Sequence, residues 1–317
     1  MRRTAEIVFF IMISACSLLG QQVGTLVHIQ THGWSKAEDG LVLSWHSMAA
    51  NAATDQIDVA DITGQKLVSL NVLRLVPEAA KVDISDASAI RNRSIAVAVS
   101  YISKEGVVKV RPASAIVVFD FEGHLISFLA LAPWRDALRI ELDADSNIWA
   151  LNSNADETRN AAESFMLTEY SVRGSVLREL LPRNVFPAHS DEIHGNTKIG
   201  FAETGRASHD VWFWLPGSTE LVTVDSSGQT SFGKTGLPAS KEPPIPVNFA
   251  VDKSGDLVGQ FRVGKESAVY YRWSQSSKAW TGFDAGACIG GYLAGTDQDR
   301  LIFLKSQANQ AITVCAH

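Results

Sequence analysis

The densest run of metal-ligating side chains in the chain is His189-Ser-Asp-Glu-Ile-His194. Two imidazoles with carboxylates between them can contribute nitrogen and oxygen donors to a metal centre. One polar loop rarely encloses an ion by itself, so a solvated surface loop is the competing expectation. A second pattern places a cation two residues before a carboxylate. Lys81-Val-Asp83 and Arg139-Ile-Glu141 both show it, each ahead of a turn, and Asn248 falls opposite Arg139 by the same count. Lys198 joins them if the looser turn after it keeps the register. Such groups could form a partly basic collar for a carboxylate, a phosphate or a sugar acid. The blander expectation, favoured here, is that Lys81 pairs with Glu141 and Arg139 with Asp83, because opposite charges at close range neutralise each other.

Other chemistry has less footing. No local context links a serine to a nucleophile elbow, and no P-loop or dinucleotide fingerprint occurs. Trp134 and Trp280 lie near connections, where packing is expected ahead of ligand stacking. A nucleic-acid binder usually carries a basic field, and the net charge here is −6, so nucleic acid is not an expected partner.

What must position these residues is a set of short strands. Of the 317 residues, 46% are hydrophobic and 20% charged, which suits a globular protein and excludes a disordered one. The clearest unit is Arg139-Ile-Glu-Leu-Asp-Ala-Asp-Ser-Asn-Ile-Trp-Ala-Leu151, two strands about a tight turn. Its turn belongs to a series with Asp252-Lys-Ser-Gly-Asp256 and Gly295-Thr-Asp-Gln-Asp299, and with looser members at Ser35 to Gly40, Ser85 to Ser94 and Thr204 to Asp210. A second series alternates with it: Asp61-Ile-Thr-Gly-Gln65, Asp120-Phe-Glu-Gly-His124, Ser171-Val-Arg-Gly174, Asp225-Ser-Ser-Gly-Gln229 and Ser274-Gln-Ser-Ser-Lys278. Asp-x-x-Gly between apolar runs marks a hairpin, since glycine supplies the positive φ that a short loop needs. Members of the second series recur at about 50 to 60 residues, the length of one four-stranded blade with its connections.

These counts predict an all-β protein, a six-bladed β-propeller of four-stranded antiparallel blades. Its ring closes where a strand near 25–30 pairs with one near 312–316. Closure buries two apolar blade faces that an open array would expose. No long helix is expected; Leu73-Arg-Leu-Val76 and Asn160 to Phe165 could each make a turn or two.

The N-terminus carries Arg2 and Arg3, then Ile7-Val-Phe-Phe-Ile-Met-Ile13, then Ser14-Ala-Cys-Ser-Leu-Leu-Gly20. That apolar block is short for a membrane span and suits an export signal over 1–20, with the propeller over 23–317. Ile13-Ser-Ala-Cys16 also matches a lipobox, in which Cys16 is lipidated. Ordinary cleavage and an uncleaved anchor are the alternatives. Cys288 and Cys315 would form a disulfide in an oxidising compartment, or remain two small buried thiols. The expected location is periplasmic, envelope-anchored or secreted.

Leu142-Asp-x-x-x-Asn-Ile-Trp149, echoed by Val251-Asp-x-x-Gly-Asp-Leu257, resembles the repeat of six-bladed propellers of the NHL-like group. The resemblance is one of rhythm, spread over most of the chain after the signal. The group includes periplasmic propellers, lyases and gluconolactonase relatives. Gluconolactonase-like enzymes hold a divalent cation with carboxylates and an amide at the channel. By that resemblance Glu141, Glu203 and Asn248 are candidate ligands, alongside His189 and His194.

In a propeller the tight hairpins share one face, and the remaining loops and blade connections share the other. Here the second set is longer, at Met48 to Gln56, Ser103 to Ser114, Asn152 to Ser164, Pro182 to Thr197 and Gly233 to Val247. Long loops cost ordering entropy and tend to carry binding residues. The expectation is an exported propeller that binds a partner protein or a small anionic ligand through this face. It requires no cofactor and touches a membrane only through a lipid anchor. The alternative is a metal-dependent hydrolase or lyase acting at the channel, with a divalent cation.

Overall fold

The computed structural model describes residues 23–26, 33–46, 55–76, 79–104, 113–132, 135–154, 164–185, 198–201, 211–215, 217–252, 254–297, 300–306 and 312–316. The strands run in chain order as antiparallel groups of four. β2 (Gly33–Glu38), β3 (Leu41–His46), β4 (Gln56–Asp61) and β5 (Lys66–Asn71) form the first group. A one-turn helix α1 (Val72–Leu75) leads to β6 (Ala79–Ile90), β7 (Ser94–Ser103), β8 (Ala113–Phe119) and β9 (Leu125–Ala130). The third blade is β10 (Arg135–Leu142), β11 (Ile148–Asn154), β12 (Phe165–Tyr170) and β13 (Val176–Pro182). The fourth is β14 (Lys198–Phe201), β15 (Val211–Leu215), β16 (Glu220–Val224) and β17 (Thr230–Lys234). The fifth is β18 (Ile245–Val251), β19 (Leu257–Val263), β20 (Glu266–Ser274) and β21 (Ala279–Gly282). Last come β22 (Tyr292–Asp297), β23 (Arg300–Ser306) and β24 (Ile312–Ala316), completed on the outside by β1 (Val23–Leu26).

The architecture is an all-β propeller, and the ring closes through its ends: Thr25 pairs with Thr313 and Leu26 with Ile312. One expectation is corrected. The blades number five, not six: four are four-stranded sheets, and the first and last groups of the chain share one eight-stranded sheet in the order β1-β24-β23-β22-β2-β3-β4-β5. A single parallel bridge, Ala37 to Gly295, fuses the last strands with the first. Gly295 permits it. Its φ is +153°, and a β carbon there would lie 2.1 Å from the Ala37 carbonyl oxygen. Any side chain would separate the two inner strands.

Apolar packing lies between the sheets. Ile95 to Val99 of β7 and all of β15 are buried without alternation, because both faces of a middle strand are covered by neighbours. Outer strands differ: Leu125, Val176 and Phe232 remain exposed. The Asp-x-x-Gly hairpins tie one blade to the one before. In each of three turns the leading side chain, Asp61, Asp120 or Asp225, accepts backbone N–H bonds from the residues two and four positions on. Gly123, Gly174 and Gly228 then sit against Leu70, Leu129 and Leu180 of the preceding outer strand.

Candidate functional site at the ring axis

The inner strands β6, β10, β14 and β18 each leave one edge without a strand partner, and β2 and β22 meet at theirs through the Ala37–Gly295 bridge. Their backbone groups must be satisfied by other means. Side chains of adjacent blades supply the bonds. Asp86 Oδ2 accepts from the Ile140 amide at 2.9 Å, and Ser88 Oγ accepts from the Leu142 amide at 2.9 Å. A Glu38 carboxylate oxygen accepts from the Ala89 amide. Ser85 Oγ donates to the Ala137 carbonyl at 3.0 Å. On the other side of the ring, the Asn248 amide donates to the Leu293 carbonyl. Gln260 accepts from Leu293 N at 2.9 Å and donates to Gly291 O at 3.2 Å.

At the centre of this network is Lys36. Its ammonium donates to Glu141 and to the Ile140 carbonyl at 3.0 Å, and lies 3.1 Å from Glu38. Lys36, Glu38 and Glu141 are all buried. Burial disfavours the ammonium, but Glu141, Glu38 and Asp86 outweigh it and hold the pKa above the ordinary lysine value. Burial pushes the Tyr292 hydroxyl well above the usual tyrosine range, with Arg139 opposing and Asp86 adding to the effect. Two buried polar atoms lack a hydrogen-bond partner among the described residues here, the Tyr292 hydroxyl and Asn248 Oδ1.

The collar expected from sequence is only partly assembled. Glu141 is at the axis, but its partner is Lys36 rather than Lys81. Arg139 is half-buried and donates to the Leu138 carbonyl. Asn248 takes the place of Arg139, since each is the first paired residue after a register shift in its strand. The alignment of Lys81 and Asp83 with Arg139 and Glu141 is corrected. β6 has two register shifts, Ala79/Lys81 and Ile84/Asp86, and the second matches the one in β10. Asp86-Ala-Ser88 therefore corresponds to Arg139-Ile-Glu141. Lys81 is exposed, and Asp83 is half-buried with its carboxyl raised by burial against the pull of Lys81. A pattern existed in the sequence: Lys36-x-Glu38, Asp86-x-Ser88 and Arg139-x-Glu141 each precede a tight turn. Bulges in β6 hid that register.

His189, His194, Glu203 and Cys16 lie outside the described residues, as does Trp134. For Lys198 only the strand is described. Cys288 is buried and disulfide-bonded, and the strand holding Cys315 packs against the short turn 286–288. Trp280 donates to Thr235 O at 3.0 Å and packs edge-on to Phe261 at 5.4 Å, a packing role.

Of the cation ligands expected at the axis, only Glu141 and Asn248 are described, and Glu141 does not fit a divalent cation. The Glu141 carboxylate already faces the Lys36 ammonium, which would repel a second cation beside it. The one group of three clustered ligand atoms among the described residues is Asp120, Glu122 and His124, at an exposed hairpin. There Asp120 is committed to its own turn, accepting from the amides of Glu122 and His124.

No family model matches the chain, and no curated protein matches it. Solved structures do. A streptogramin B lyase aligns over 93% of this chain and 86% of its own, at 13% identity and a TM-score of 0.51. A Bacteroides thetaiotaomicron protein of unknown function aligns over 94% and 72%, at 10% identity and TM-score 0.51. Regucalcin from Agrobacterium tumefaciens, a calcium-binding protein, aligns over 92% of each chain at 10% identity and a TM-score of 0.47. At these identities the likeness defines the class, a β-propeller, and leaves the activity open.

Proposed function

We propose that this chain is an exported binding propeller whose working surface is the face of long connections. It holds a partner protein or a small ligand there and performs no covalent chemistry. The supporting observation is the use already made of the axial groups. Lys36, Glu38, Asp86, Glu141 and Asn248 are spent on bonds between blades, so the channel serves to hold the ring. The strand ends that lead into the longer connections lie opposite the tight hairpins; the connections themselves, at 47–54, 105–112 and 155–163, lie outside the described residues.

Photo-crosslinking residues at position 108 and at position 159, with a control at Ser276 in a tight turn, test this in the native host. Discrete crosslinked species from 108 and 159 and none from 276 are expected. Crosslinks confined to 276 would overturn the reading. A marked stabilisation by Ca²⁺ or Mg²⁺ in thermal melts would instead favour the cation-dependent enzyme.

A further inference from the structure

The path of the chain fixes which face the N-terminus leaves from. The turns 39–40 and 62–65 share a face, since the Ile62 amide bonds to the Gly40 carbonyl at 3.1 Å. Asp297, at the end of β22, reaches the same face: its Oδ1 is 3.7 Å from a β carbon built on Gly40. β22 runs parallel to β2, and β23, β24 and β1 then alternate in direction. Val23, paired with Cys315, therefore lies at the tight-turn end of the outermost strand, and Leu26, paired with Ile312, lies toward the other face. That other face gathers the connections, as the 2.6 Å bond from Val72 N to Asp55 O shows.

We propose that the N-terminal segment tethers the propeller to a lipid bilayer with the tight-turn face toward the lipid and the long-connection face turned away. This rests on the export reading above. Residues 17–22 separate Cys16 from Val23. Six residues reach ~20 Å at full extension. The strands alone are about as tall, at ~3.3 Å per residue over the six residues of β2. An anchor on this tether meets a bilayer at the tight-turn face without extension, whereas the other face would take its full length. A lipid on Cys16 and a retained apolar segment 7–13 give the same orientation, because both act on the same edge. The consequence is a binding surface that meets partners from the aqueous side.

The test uses the full chain, expressed in a bacterium and recovered with the membrane fraction. A donor dye is placed on Ser276→Cys or Glu122→Cys, at tight turns, or on Lys265→Cys, at the β19–β20 turn on the other face; all three positions are exposed. The protein is reconstituted in phosphatidylcholine vesicles bearing a headgroup acceptor. Transfer several-fold stronger from 276 and 122 than from 265 is expected. Equal or reversed transfer overturns the orientation while leaving the tether intact. Mass spectrometry of the N-terminal peptide reads the tether itself. A soluble chain cleaved after residue 16 and carrying no lipid overturns the tether, whereas the crosslinks at 108 and 159 would still stand.

Discussion

Lys36 and Glu141 form a buried ion pair between inner strands that are two blades apart. Neither residue belongs to a neighbour of the other in the chain order of blades, so the pair ties the ring at its axis. Removing one member leaves a buried charge without compensation. Lys36→Met is expected to cost about 3 to 5 kcal/mol. Lys36→Met combined with Glu141→Leu should recover part of that loss, the remainder falling on Glu38, which still loses the ammonium 3.1 Å away. Urea denaturation of both variants checks it, and additive losses would show that the two residues do not act as a unit.

Gly295 should tolerate no side chain. With the Ala37 carbonyl oxygen 2.1 Å from the position of a β carbon, Gly295→Ala must push β22 from β2. A loss of about 4 kcal/mol or more is expected, in the exceptional range for one substitution. Gly282, where a β carbon meets nothing within 4 Å, is the control. Gly282→Ala should leave the thermal midpoint nearly unchanged.

The hairpin glycines should rank by the space before them. All take positive φ, and a β carbon would meet a leucine at 2.9 Å from Gly228 but at 3.2 Å from Gly123. Each alanine variant is expected to lose ~1–2 kcal/mol for the left-handed backbone. Gly228→Ala should be the worse of the two by thermal melting.

The Tyr270 hydroxyl donates to Gly291 O, and burial pushes its pKa up from 10.0 to about 12. A folded value above the unfolded one means the unfolded chain releases its proton first as pH rises. This contribution is therefore complete below pH 10 and is lost between about pH 10 and 12. Denaturation midpoints measured across that window should fall with pH. Tyr270→Phe should flatten the fall in that window.

The disulfide at Cys288 should hold the last blade. Cys288→Ser is expected to lower stability by ~2–4 kcal/mol, by freeing the unfolded chain. Cys315→Ser should match it if these two residues are joined, and non-reducing peptide mapping reads the pairing directly.

Much of this fold is local in origin. Asp61-x-x-Gly64, Asp120-x-x-Gly123 and Asp225-x-x-Gly228 form their turns from their own side chains and glycines, so the rhythm of hairpins, and with it a closed propeller, is written in the chain. The apolar runs of β7 and β15 are equally legible, because middle strands are covered on both faces. The register at the axis is not. Two bulges in β6 shift Asp86 into the place that counting assigns to Lys81, and a bulge leaves only a weak trace in residue type. Nor does the sequence show that Lys36 meets Glu141, or that Ala37 bridges to Gly295. Those contacts join residues more than a hundred positions apart, and ring closure alone brings them within reach.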